Sequence, residues 1–302
     1  MPILSDLVSV RTRYCRAVNL STDSKTAHAL DGILVTPVVA STLERLLDSL
    51  ESPQGERSFM LFGPYGSGKS TFALFLNALF GMGAREDSQA YTLLHESYPA
   101  LADRFTALSY AQSPWLCVPL TARRSPIGKI ILEGLQEALK QLPDDSGRQA
   151  ISIRLKTSLR EESWRDSRDV LDLVERVRRL ALVHNFGGFL LIVDETGKSL
   201  EYALQDRAGG DAYLFQELAE RAKRIAGAPV LFLTVQHQNF EGYTELSNRT
   251  LRNEWAKVQE RFETLSFNEQ LANSLNTLGQ VLQHNNESLP NNLPEIIKTE
   301  AK

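Results

Sequence analysis

The chain has 302 residues, 42% hydrophobic and 23% charged, with a net charge of −4 at pH 7. This is the composition of a soluble globular protein with one large domain, or one domain and a partial second. No Lys/Arg-rich run gives it the basic footprint of a dedicated nucleic-acid module, so any DNA contact is expected through partners only.

Cys15 and Cys117 stand far apart, without a C-x-x-C partner or a neighbouring histidine. That excludes zinc and redox motifs and fits structural, reduced thiols. The N-terminus lacks a basic region followed by a long apolar core, so no secretory signal is expected. The longest apolar stretch, Phe186–Val193, is too short to span a bilayer. The expectation is a cytoplasmic protein with no membrane contact.

In chain order, residues 1–32 read as an N-terminal arm, with Leu7, Val8, Val10, Arg11, Arg13 and Arg16 scattered without a period. Thr36-Pro37 opens a helix in which Val38, Leu43, Leu46, Leu47 and Leu50 recur near helical spacing. It ends before Ser52-Pro53. The run Phe59–Phe62 then reads as a buried strand. It leads into Gly63-Pro64-Tyr65-Gly66-Ser67-Gly68-Lys69-Ser70, which satisfies G-x-x-x-x-G-K-[ST] at every fixed position. Phe72, Leu76 and Leu79 place the following residues, Ser70–Phe80, on a helix.

The chemistry explains the residue choice. Glycines at 63, 66 and 68 let backbone N–H groups approach a phosphate, and the helix N-terminus faces the anion. Lys69 would neutralise the β- and γ-phosphates, and Ser70 would ligand Mg²⁺. Gly63, Pro64, Tyr65, Gly66, Ser67, Gly68, Lys69, Ser70 and Thr71 form the expected ATP-binding loop.

Further on, residues 82–112 read as helix plus loop. Trp115–Leu120 is a short strand whose Pro119 calls for a strand end or an edge position. Ile130, Ile131, Leu135 and Leu139 form a helical stripe closed by Pro143. Residues 144–168 read as a charged insertion with a short helix. Val170–Val183 is a helix stopped at Gly187-Gly188. Phe189–Val193 follows, a continuous apolar run of the kind a central parallel strand needs, and it ends in Asp194-Glu195. This is a Walker B pattern: Asp194 would hold Mg²⁺ and Glu195 would orient and deprotonate the attacking water.

After a loop at Arg207–Gly210, Asp211–Ile225 reads as a helix. Pro229–Val235 is a further buried strand with Gln236 and His237 at its tip. A helix through Trp255 runs to Arg261-Phe262, before an alternating strand Leu265-Ser266-Phe267. The tail from Asn268 holds one helix, with Leu271, Leu275, Leu278, Val281 and Leu282 as its apolar residues.

This ordered set resembles the AAA+ ATPases over roughly residues 33–283. The resemblance implies an α/β three-layer α/β/α P-loop NTPase fold of ASCE/AAA+ type, with a parallel central sheet. It implies an ATPase core at 33–267 and a truncated helical lid and tail at 268–302. Ile33–Pro37 precedes the first helix, where such proteins often contact adenine, although core packing also accounts for it. Gln236 or His237 falls where a polar sensor contacts the attacking water or γ-phosphate. Arg261-Phe262 with Leu265 and Phe267 resembles the R-F-x-x-[IL]-x-F segment of origin-recognition-like members, which implies an arginine finger acting on a neighbouring subunit.

More narrowly, Phe62–Leu76, Asp194–Ala203, Gln236–Tyr243 and Glu254–Glu263 resemble the N-terminal ATPase region of large bacterial ATP-binding proteins, often encoded in phage-defence loci. That implies ATP and Mg²⁺ as cofactors and a homo-oligomer or larger defence complex as the setting. A nucleotide-gated switch with slow turnover uses the same loop. A small-molecule kinase would need an acceptor pocket and lid arginines that are not visible, and a vestigial scaffold would not keep Lys69, Ser70, Asp194 and Glu195 together.

Overall fold

Four apolar runs and one polar alternating segment become strands: β1 (Ser58–Phe62), β2 (Leu116–Thr121), β3 (Phe189–Asp194), β4 (Val230–Gln236) and, the polar one, β5 (Glu263–Ser266). The structure is a computed structural model that describes residues 8–10, 18–26, 28–83, 88–205, 210–225, 227–244, 249–268 and 282–284. The strands pair in parallel in the order β2-β3-β4-β1-β5. Successive side chains point to opposite faces, so each of the four apolar runs feeds two cores at once. Phe59, Leu61, Leu190, Ile192, Leu231 and Leu233 enter one, while Met60, Phe189, Leu191, Val193 and Phe232 enter the other.

Helices α1 (Leu20–Asp23), α2 (Pro37–Glu51), α3 (Lys69–Met82), α4 (Gln89–Ser97) and α5 (Pro99–Ala107) bury their apolar residues in the first core. The second is covered by α6 (Ile127–Ala138), α7 (Ser146–Arg160), α8 (Ser167–Val183), α9 (Thr196–Gln205), α10 (Gly210–Arg224), α11 (Phe240–Thr244) and α12 (Arg249–Gln259). The result is three layers, α/β/α.

Pro119 lies on edge strand β2, where a missing N–H costs no ladder bond. The rest of that edge is protected locally. The Gln141 amide donates to the Cys117 carbonyl at 3.0 Å, and the Thr121 N–H donates to Ser21 Oγ at 2.7 Å. Cys117 is a free, buried thiol that burial pushes well above its ordinary pKa, as a structural cysteine requires. Cys15 lies outside the described residues.

Several local expectations are corrected. The charged stretch 144–168 contains the 15-residue α7, not a short helix in a loop. Its only buried residues are Leu155 and Ser158, so it shows no apolar stripe, yet its N-cap is legible: Asp145 accepts from the Arg148 N–H at 2.7 Å. A helix, α9, starts directly after the Asp194-Glu195 turn. The last core strand starts at Glu263, before Leu265, and ends before Phe267. Helix α12 stops at Gln259, leaving Arg261-Phe262 in the following turn.

Residues 206–209 and 269–281 lie outside the described residues, and with them most of the expected 207–210 loop and tail helix. Leu282, placed on that helix from sequence, instead opens a strand, Leu282–His284, paired antiparallel with Val8–Val10. The expected lid at 268–302 is otherwise outside the described residues, as are Leu7, Arg11, Arg13 and Arg16. The core described here is the compact unit Val18–Asn268. No helix among the described residues is long and apolar enough to cross a membrane.

Candidate active site

Register gathers the motifs. Phe62 pairs with Gln236 on one side and Ser266 on the other, Val193 with Thr234, and Asp194 with Thr121. The Gly63–Lys69 loop, Asp194-Glu195 and Gln236-His237 therefore all leave the carboxyl edge of the sheet. The helix after β1 covers one face and the helix after β4 the other. Neighbouring strands whose crossovers diverge in this way open a crevice at their carboxyl ends.

Gly68 caps α3 with φ +91, a left-handed conformation that costs glycine least. Lys69, Ser70 and Thr71 make the first turn, whose N–H groups have no intrahelical acceptor. At Gly63 a side chain has no room, because the Phe267 carbonyl occupies the place of its Cβ. Phe267 also donates its N–H to the Phe62 carbonyl at 2.7 Å and sets its ring on Phe72, pinning the loop from the β5 side. Lys69 is only 5% exposed. Its Nζ donates to the carbonyls of Gly63 (2.7 Å) and Pro64 (2.6 Å) and to Ser67 Oγ (3.3 Å). Burial pulls its amine below the ordinary value, while Asp194 and Glu195 favour the charge.

Asp194 is 3% exposed, with the Ser70 hydroxyl and the Glu195 N–H (2.8 Å) donating to its carboxylate. Burial outweighs these donors and pushes its pKa up to about 6 from 3.8. A carboxyl held above its unfolded value costs stability once charged. The cost is absent below the unfolded pKa, grows from about pH 4 to about pH 6, and is complete above that. Asp194→Asn is therefore expected to raise the melting temperature of the ligand-free protein by several degrees at pH 8, a gain of roughly 1–3 kcal/mol, and by much less at pH 4.5. Thermal unfolding at the two pH values checks this.

Glu195 has φ +56, a conformation of order 1 kcal/mol or more above the β region for a non-glycine residue. The turn lifts its carboxylate off the strand, where it pairs with Lys198 at 3.1 Å and faces His237 Nε2 at 3.8 Å. Burial and then the Lys69 charge pull His237 below its ordinary pKa, so near pH 7 the imidazole is neutral. Its ring stacks on Tyr65. Gln236, the other residue at that tip, turns inward: it is 1% exposed, with Nε2 on Met60 Sδ at 2.7 Å and Oε1 without a partner. Of the two, His237 is the one the fold brings to Glu195.

Arg261 is not part of this cluster. Its turn precedes β5, whose first residue is next to Phe59, which pairs with Glu263 at the end of the sheet away from the loop. It donates to Glu220 at 2.7 Å and to the Lys257 carbonyl at 2.8 Å.

No family model and no curated protein matches the sequence. Among solved structures, the ORC2 protein of Aeropyrum pernix, determined as ADPNP–ADP complexes, is similar in fold with a TM-score of 0.50 at 14% identity. The match covers 91% of this chain and 56% of that one, so this chain spans little more than half the neighbour's length. The fold is that of the AAA+ P-loop NTPases.

Within that AAA+ fold, Tyr243 is a site residue that sequence reasoning passed over. Its hydroxyl accepts the His237 N–H at 3.3 Å and lies against Gly197, where a Cβ would collide with it. It is a strut between the β4 tip and the turn that carries Glu195. Gly197 and Tyr243 lie within the quoted similar segments, but only folding brings them together. Among the described residues no cluster of three or more His, Cys, Asp or Glu side chains forms a metal cage. A cation here would need phosphate oxygens and water to complete its shell, as Mg²⁺ does.

Proposed function

We propose that this chain binds and hydrolyses ATP with Mg²⁺, as an AAA+ module driving conformational change in a multi-subunit assembly. The observation that carries the reading is the Ser70 hydroxyl on the buried Asp194 carboxylate, with Lys69 and Glu195 flanking it at the same sheet edge. A phosphate loop and an acid pair in hydrogen-bond contact supply the oxygen donors that Mg²⁺ prefers. The ADPNP–ADP complexes of the Aeropyrum pernix protein favour an adenine nucleotide as the ligand.

In this mechanism the loop N–H groups from Gly63 to Thr71 hold the phosphates and Lys69 exchanges its loop carbonyls for phosphate oxygens. Ser70 and Asp194 would hold Mg²⁺. When bound, Mg²⁺ neutralises charge on the phosphates. Glu195 accepts a proton from the attacking water, and the neutral His237 imidazole offers it a hydrogen bond.

Arg261 lies too far along the sheet to serve its own loop, and the resemblance of its segment to the origin-recognition-like R-F-x-x-[IL]-x-F box supports a role in stabilising the transferring phosphoryl group on a neighbouring copy. A homo-oligomer, or a larger complex of the phage-defence kind, is the setting this implies, with DNA contacts left to partners. ATPase activity per chain should then rise with protein concentration and fall in Arg261→Ala. Mixing Arg261→Ala with Lys69→Ala should restore activity, since each supplies what the other lacks. Activity independent of concentration, with an inactive mixture, would rule out the trans contact.

One observation favours a second reading, a nucleotide-gated switch with slow turnover: the Glu195 carboxylate is engaged by Lys198. Tight ATP binding with negligible turnover at every concentration would select it.

A further inference from the structure

Tyr65 sits in the phosphate loop as a residue 79% exposed, yet its ring has a partner. It crosses to the tip of β4 and stacks on His237, with centroids 3.3 Å apart and planes inclined by 27°. Neither ring nitrogen of His237 has a hydrogen-bond partner, although both are shielded from solvent. The 3.8 Å approach to Glu195 is beyond hydrogen-bond range. No hydrogen bond therefore fixes the imidazole about its side-chain torsions, and its polar contact with Glu195 is a longer-range one. Tyr243 anchors only its backbone, through the His237 N–H. The ring contact that can orient it is the Tyr65 face.

We propose that Tyr65 is a positioning residue acting through His237, its ring holding the imidazole over the Glu195 carboxylate. A neutral imidazole carries one N–H donor and one acceptor nitrogen. Held there with both nitrogens unspent, it can hydrogen-bond the water that Glu195 activates or the phosphate oxygen that water attacks. The ring is what matters in Tyr65, because stacking uses its face and not its hydroxyl. The arrangement also links the phosphate loop to the β4 tip, so a displaced loop would release the imidazole. The catalytic consequence rests on the ATPase reading; the positioning itself does not.

The test uses the full chain in two measurements. In steady-state ATPase assays, Tyr65→Ala is expected to lower kcat about tenfold with KM changed less than about twofold, and Tyr65→Phe to restore it. In a His237→Ala background, Tyr65→Ala should have no further effect, because its route is already cut. Equal losses from Tyr65→Ala with and without His237 would overturn the proposal, as would a failure of Phe to rescue.

Carbon-13 spectra of the imidazoles supply the second readout, which needs no turnover. The His237 resonance should be displaced upfield by the Tyr65 ring current in wild type and in Tyr65→Phe. It should return towards the ordinary position in Tyr65→Ala, with the other histidines unchanged. If wild type hydrolyses no ATP, the ATPase reading fails alone and these spectra decide: a His237 resonance unmoved by Tyr65→Ala overturns the positioning.

Discussion

Lys69→Ala is expected to weaken Mg²⁺–ATP binding by roughly 30- to 1,000-fold, the loss of about 2–4 kcal/mol that follows truncation of one partner of a buried charge pair. Lys69 is buried, and its ammonium donates to two loop carbonyls and a hydroxyl. Its reach is already aimed into the loop, so a triphosphate offers stronger, charged acceptors in place of neutral ones. Alanine cannot make that exchange. The folded state should tolerate the change, because burial disfavours the charged amine and Lys69 is the smallest of the influences on the Asp194 charge. A melting temperature equal to or above wild type, with binding lost by calorimetry, separates a ligand effect from unfolding. Affinity within about threefold of wild type would mean that the glycine-rich turn is not a phosphate site.

Glu195→Gln should lower kcat by about 10²–10⁴ while leaving ATP affinity nearly unchanged, the range a positioned general base supplies. Glutamine matches the shape and keeps the φ +56 turn, but it cannot take a proton. The pair with Lys198 is lost as well. Both side chains are partly exposed, at 50% and 28%, so that loss is worth less than about 1 kcal/mol. Burst and steady-state hydrolysis, read beside nucleotide affinity, check the separation. A weaker affinity with an unchanged turnover rate would place Glu195 in binding and remove it from proton transfer.

Much of this molecule could be read from its residues. The strand–turn–helix around Gly63–Ser70 was legible because a glycine-rich turn between an apolar run and an apolar helix is a local pattern, and β1, the turn and α3 formed where that pattern put them. The five-residue run before Asp194 was legible as an interior strand for the same reason, since both its faces are buried. Pro119 announced a strand end or an edge because a missing N–H is a property of one residue, and the fold made it an edge. Helix α7 was not legible as a full helix, because it buries too few residues to print a period on the sequence.

What the sequence by itself determined was chemistry held within single segments: which loop carries glycines and a lysine, and which strand ends in two acids. Tertiary structure decided the relations between segments. β2 separates β1 from β3 along the chain, yet β4 is the strand inserted between them in space. That placement brings His237 to Glu195 and Tyr65 onto His237, and leaves Gln236 buried against Met60. It also sets Tyr243 across Gly197 and carries Arg261 to the other end of the sheet. The reason is physical. Period-2 burial tells a residue which core it faces, but strand order depends on how crossover helices pack over both faces, and no single segment encodes that.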